Sequence, residues 1–170
     1  HDAYLKYIGP GLQATYTWRV ERAAKDDAAA IRRRHERYEK IAAILPLLQQ
    51  AGVRILAGTD AGFLNSYNYP GVGLHQELSL FVRAGLTPLQ ALQAATINGA
   101  EFMGRVATHG SVAAGKAADL VLLDANPLDN IEATQRIDAV VLRGDFYSRA
   151  ELDAMLDDVE ARVARQRAAH

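Results

Sequence analysis

A chain of 170 residues is long enough for one domain with its own core, and 49% hydrophobic with 23% charged residues is the composition of a globular protein. With 19 basic against 20 acidic residues the net charge is -1, which leaves no electrostatic footprint for nucleic acid or an acidic membrane surface. There is no cysteine, so disulfides and thiolate-bound zinc are excluded, and no apolar stretch approaches the roughly 18 residues of a membrane span.

The chain opens on His1 rather than Met, as in a fragment or a processed product. No secretory signal is visible, which slightly favours the cytoplasm, although a processed secreted chain would look the same. Residues 1–18 are rich in Tyr and Gly, with Gly9-Pro10-Gly11 as a breaker. From about Glu21 to Gln50, Ile31, Tyr38, Ile41, Ile44, Leu45 and Leu48 recur at helical spacings. Arg32-Arg33-Arg34 stands among Asp26, Asp27, Glu36 and Glu39 and reads as a solvated helix face. Pro46 predicts a break near Leu45 because it lacks the N–H of an interior helical residue, and Gly52 reads as a left-handed cap.

Val53-Arg54-Ile55-Leu56-Ala57 is short, β-branched and nearly continuous in apolar character, as in a parallel strand covered on both faces. It runs into Gly58-Thr59-Asp60-Ala61-Gly62. A loop to Gly73 carries Asn65, Tyr67, Asn68 and Tyr69, which either line a pocket or pack. Leu74–Ala84 is a helix stopped by Gly85, and Thr87-Pro88-Leu89-Gln90 restarts one with a capping box. A short helix follows from Thr96 to Gly104. The period then changes: Ala118–Asp124 and Ile137–Arg143 read as strands, Gly144-Asp145 as a bend into Phe146-Tyr147. Ser148-Arg149-Ala150-Glu151 opens an amphipathic helix through Leu152, Met155, Leu156, Val159 and Val163.

A buried parallel strand at 53–57 needs neighbours on both edges. No crossover helix links the two later strands to it, so they form a separate β unit, and the missing neighbours must come from another polypeptide segment. Asp60 closes the buried strand at its C-terminal end, where catalytic groups of β/α barrels gather. A carboxylate there is costly to bury without a cation, a metal or several donors. A Gly-Thr-Asp at such a junction equally serves as an Asx turn or helix cap, and the residues alone leave both readings open.

At this point the chain resembles the metal-dependent amidohydrolase superfamily, in particular the subgroup around imidazolonepropionase and Xaa-Pro dipeptidase-like enzymes. The resemblance is carried by Ala51–Asp60, Glu77-Leu78 through Ala84-Gly85-Leu86-Thr87-Pro88, and Ala91–Ala100. It continues through Gly110-Ser111-Val112, Gly115–Val121 and Val141-Leu142-Arg143-Gly144, in order, over roughly residues 40–145. It implies an α/β fold: residues 1–109 as the C-terminal part of a (β/α)8 barrel, 110–147 as strands of a small flanking β-sandwich, and 148–170 as a C-terminal helix. It also implies hydrolysis of a C–N bond in an amide, cyclic amide or dipeptide-like small molecule. Asp60 would be both a metal-site carboxylate and the group that takes a proton from metal-bound water and passes it to the leaving nitrogen. The implied cofactor is a divalent metal, zinc first, as one or two ions.

The family's His-x-His pair is absent. The five histidines are His1, His35, His75, His109 and His170. None stands upstream of Asp60 at the end of a credible strand, whereas a zinc centre takes three or four ligands. Most ligands are therefore expected outside this chain, on a missing N-terminal barrel segment or partner chain. His75 opens the helix after the Asp60 loop, where it either contacts substrate or bonds to local backbone. The rivals to the enzyme reading are a non-catalytic paralogue or partner subunit that keeps the fold, and a self-contained small α/β binding protein. A homo-oligomer is left open.

Overall fold

The computed structural model describes residues 2–62 and 67–169. His1, His170 and Asn65 therefore lie outside the described residues. The chain is mostly helical with one small antiparallel sheet. Helix α1 spans Pro10–Ala23, α2 Ala28–Ala42, α3 Leu45–Gln50, α4 Val72–Arg83, α5 Pro88–Ala95, α6 Ile97–Phe102 and α7 Arg149–Ala168. The strands are β1 Leu120–Leu123, β2 Ile137–Leu142 and β3 Asp145–Ser148.

Gly9-Pro10-Gly11 begins a helix instead of breaking the chain. Pro10 occupies the first turn of α1 after an extended Gly9, where its fixed φ suits the helix and its missing N–H would have had no partner. The helix expected from Glu21 to Gln50 is divided twice. Asp27 caps α2 by accepting the Ala30 N–H at 2.6 Å, and Pro46 sits in the first turn of α3. Gly52, at φ 80°, closes α3 as a left-handed cap. The Gly52 and Val53 N–H groups there return to the carbonyls of Gln49 and Leu48.

The capping boxes at Thr87 and Ser148 are both formed. Strands β1, β2 and β3 pair in that order, antiparallel throughout. The β2–β3 loop is two residues, Arg143 at φ 55° and Gly144 at φ 91°, a pair of left-handed positions that matches the twist of a tight hairpin.

Two apolar clusters hold the helices. Leu78, Phe81, Leu86, Ala91 and Ala94 of the α4–α5 region bury Ile131 from the turn before β2. Ile8, Tyr16 and Tyr69 form the second, with Tyr4 and Tyr67 against it. Their rings meet edge-on or tilted at 5.6–6.4 Å, a favoured aromatic geometry. At the far end, Arg167 of α7 donates to the Leu5 and Ile8 carbonyls at 2.8 and 3.2 Å, tying the last helix to the first turn of the chain.

The expected strand at Val53–Ala57 forms no ladder among the described residues. A strand exists through its neighbours, and among the described residues no strand pairs with this segment. From Arg54 onward the side chains alternate nonetheless: Ile55 and Ala57 pack on the α4–α5 cluster, while Arg54 and Leu56 are exposed. One face is covered by helices and the other is open.

Candidate functional site

The backbone leading to Asp60 is held by helices and side chains in place of strands. The Ala57 N–H donates to the Ala94 carbonyl at 3.0 Å. Asn98 of α6 donates its side-chain amide to the Ile55 carbonyl at 2.8 Å, and the Gly58 N–H donates to Glu77 Oε1 at 3.1 Å. Arg54, near the start of the segment, is paired with Glu101.

Closer to Asp60 the restraint comes from the loop before α4. Asn68 donates its side-chain amide to the Thr59 carbonyl. The Tyr16 hydroxyl donates to the Asn68 carbonyl at 3.5 Å. Gly73 makes room for this: a Cβ there would collide with Asn68 Oδ1. Asp60 itself is exposed and has φ 50°. That left-handed conformation is one that Asp and Asn tolerate better than most residues. Tyr67, on the far side of the loop, has φ 52°, and its hydroxyl shares a 2.8 Å hydrogen bond with Thr17.

Gly58, Thr59, Tyr67, Asn68, Gly73, Gln76, Glu77 and Leu80 line a shallow hollow beside the segment. Neither Asp60 nor His75 is among the lining residues. His75 lies in the first full turn of α4 and is half-buried. Its Nδ1 is buried without a hydrogen-bond partner, and burial holds its pKa below the ordinary 6.5. The structure thus puts Asp60 and His75 on either side of one loop without joining them across a common hollow. His35 is exposed on α2, and His109 exchanges a 2.8 Å hydrogen bond with Thr108.

No group of three or more His, Cys, Asp or Glu side chains gathers among the described residues in a way that could hold a metal ion. The described residues therefore do not fit a complete metal centre.

Glu77 and Asn68 carry more of this site's geometry than the sequence reading assigns them. Glu77 had a visible signal. It is a lone carboxylate on a helix whose neighbouring turns offer Leu74, Leu78 and Phe81, and an acid in such company needs a donor. Asn68 had none, because its partner depends on how the loop folds back.

Residues 13–146 match the Amidohydrolase family. Ochratoxinase from Aspergillus niger is 39% identical over 93 residues, covering 54% of this chain and 18% of that protein. Imidazolonepropionase from Shouchella clausii is 34% identical over 103 residues, covering 56% of this chain and 22% of that protein. Among solved structures, bottromycin amidohydrolase superposes with a TM-score of 0.79 at 28% identity, over 96% of this chain and 35% of that one. The chain spans about a fifth of the length of the curated relatives it matches. With the family match running from residue 13 to 146, this chain belongs to the amidohydrolase family.

Proposed function

We propose that the chain supplies the last strand segment, the flanking helices and the Asp60 carboxylate of a (β/α)8-barrel amidohydrolase that hydrolyses a C–N bond. The substrate class is a small amide, cyclic amide or dipeptide-like molecule. The observation that carries the reading is the placing of Asp60 at the end of a backbone segment gripped on one face by α4, α5 and α6. Its other face is open along Arg54 and Leu56. A strand presented this way fits a position between helices and a barrel interior, with the backbone groups that α5 and α6 leave unbonded paired to strands of another polypeptide segment. The sheet β1–β3 fits a flanking β unit, since none of its strands pairs with residues 53–57.

In this reading Asp60 acts as a proton relay. Its carboxylate takes a proton from the water that adds to the substrate carbonyl, then delivers it to the departing nitrogen, which would otherwise leave as a poor anionic group. Amidohydrolases are typically metal-dependent, a divalent ion such as zinc serving as Lewis acid. The described residues do not fit a complete centre, and the remaining ligands belong to the completing segment. His75 is kept as a substrate contact on the strength of its place beside the Asp60 loop and its unpartnered Nδ1.

A second reading is favoured by the same donor set: a chain that keeps the fold without activity, as a partner subunit. Metal analysis separates the two. The purified chain alone should bind no stoichiometric zinc, nickel or manganese, whereas a complex with the completing segment should bind one or two ions. A stoichiometric metal on the chain alone would refute the assignment of ligands. A metal-free, inactive complex would favour the partner-subunit reading.

A further inference from the structure

We propose that Glu77 is a positioning residue for Asp60, holding the Gly58–Asp60 backbone from helix α4 through the Gly58 amide. This rests on the proposed role of Asp60. Among the described residues no strand receives the Gly58 N–H, and Glu77 Oε1 accepts it at 3.1 Å. The next residue is held by Asn68 through the Thr59 carbonyl, so the turn into the left-handed Asp60 is clamped at two successive residues. Both clamps belong to one unit, α4 and the loop entering it.

Glu77 Oε2 is buried without a hydrogen-bond partner. A carboxylate with one oxygen left unsatisfied is a poor device for stability, since an apolar side chain would fill the same place at less cost. Retaining an acceptor there is explained by what the other oxygen does. That oxygen accepts a backbone amide that an apolar side chain would leave unpaired. A reacting carboxylate must be held within a fraction of an ångström to be effective.

The test is amide hydrogen exchange on the full 170-residue chain, followed residue by residue by NMR. In the wild type the Gly58 amide should be protected about tenfold or more over its intrinsic rate. In Glu77→Leu that protection should be lost. The Ala57 and Leu86 amides, bonded to the Ala94 and Phe81 carbonyls, should keep theirs. Glu77→Gln should restore Gly58, because the carboxamide oxygen can accept the same bond. In the assembled enzyme Glu77→Leu should lower kcat with KM held, and Glu77→Gln should recover it. An unprotected Gly58 in the wild type overturns the proposal, and this needs no variant to fold. So does a Leu variant that leaves Gly58 unchanged, or one that loosens all three amides together. If Gly58 behaves as expected while Asp60→Asn turns over normally, the clamp stands and the catalytic reading of Asp60 fails.

Discussion

Asn68 donates its side-chain amide to the carbonyl of Thr59, so the loop entering α4 grips the peptide that immediately precedes Asp60. The grip depends on a third residue. Gly73 lies where a Cβ would strike Asn68 Oδ1 and come within 3.5 Å of the Thr59 Cβ. The three form one unit: a glycine that leaves a space, an asparagine that fills it, and a backbone carbonyl that is held as a result.

Gly73→Ala should therefore destabilise the chain although alanine is the better helix former. The new methyl must push the Asn68 side chain aside, and the Thr59 carbonyl loses its donor, at a cost of about 1–3 kcal/mol against a propensity gain of at most ~1 kcal/mol. Urea unfolding followed by circular dichroism measures the difference. The decisive comparison is the double-mutant cycle. In an Asn68→Ala background the same Gly73→Ala change should be neutral or stabilising, and equal costs in both backgrounds would break the link.

Burial of His75 should make stability fall on the acid side of neutrality. Its folded pKa lies below the unfolded value near 6.5, so between the two the unfolded chain binds the extra proton. Stability is full above about pH 6.5, declines as the pH drops below it, and levels off once the folded imidazole also protonates. Unfolding midpoints at about pH 7.5 and about pH 5.5 should therefore differ more in the wild type than in His75→Gln. Identical differences would assign the pH dependence elsewhere.

The N-terminus of α7 should carry a second pH dependence of lower range. Glu151 accepts from the Ser148 hydroxyl at 2.7 Å and the Ser148 N–H at 2.8 Å. Those donors hold its pKa below the ordinary 4.5. The folded carboxyl binds its proton more weakly than the unfolded one. The capping contribution is thus present above about pH 4.5 and is lost as the pH falls through the lowered folded value. Helicity in an acid titration should drop in that window, and Glu151→Gln should flatten the drop. An unchanged titration in the variant would contradict the cap's role.

Much of this arrangement is legible in the sequence, for local reasons. Thr87 and Ser148 announce their capping boxes because the signal lies within four residues, and Gly52 announces its turn because few other residues take positive φ cheaply. Pro10 misleads, since the same residue that breaks a helix interior starts a helix at its first turn. The segment at 53–57 has the composition of a strand and the alternating exposure of one. A ladder, however, is a property of two segments, and the second is not among the described residues. The place of Asp60 at the end of that segment was legible, its role being a proposal. The clamp from Glu77, Asn68 and Gly73 was not, because each contact spans a loop whose path only the fold determines.

The most direct test of the account is turnover by Asp60→Asn in the chain joined with the segment that completes the barrel, assayed on a panel of N-acyl amino acids and Xaa-Pro dipeptides. Asparagine tolerates the left-handed backbone at this position, so the fold should be kept while the proton acceptor is removed. The account predicts a fall in kcat of about 10²–10⁴-fold with unchanged circular dichroism and melting. Turnover equal to that of the wild type would contradict it.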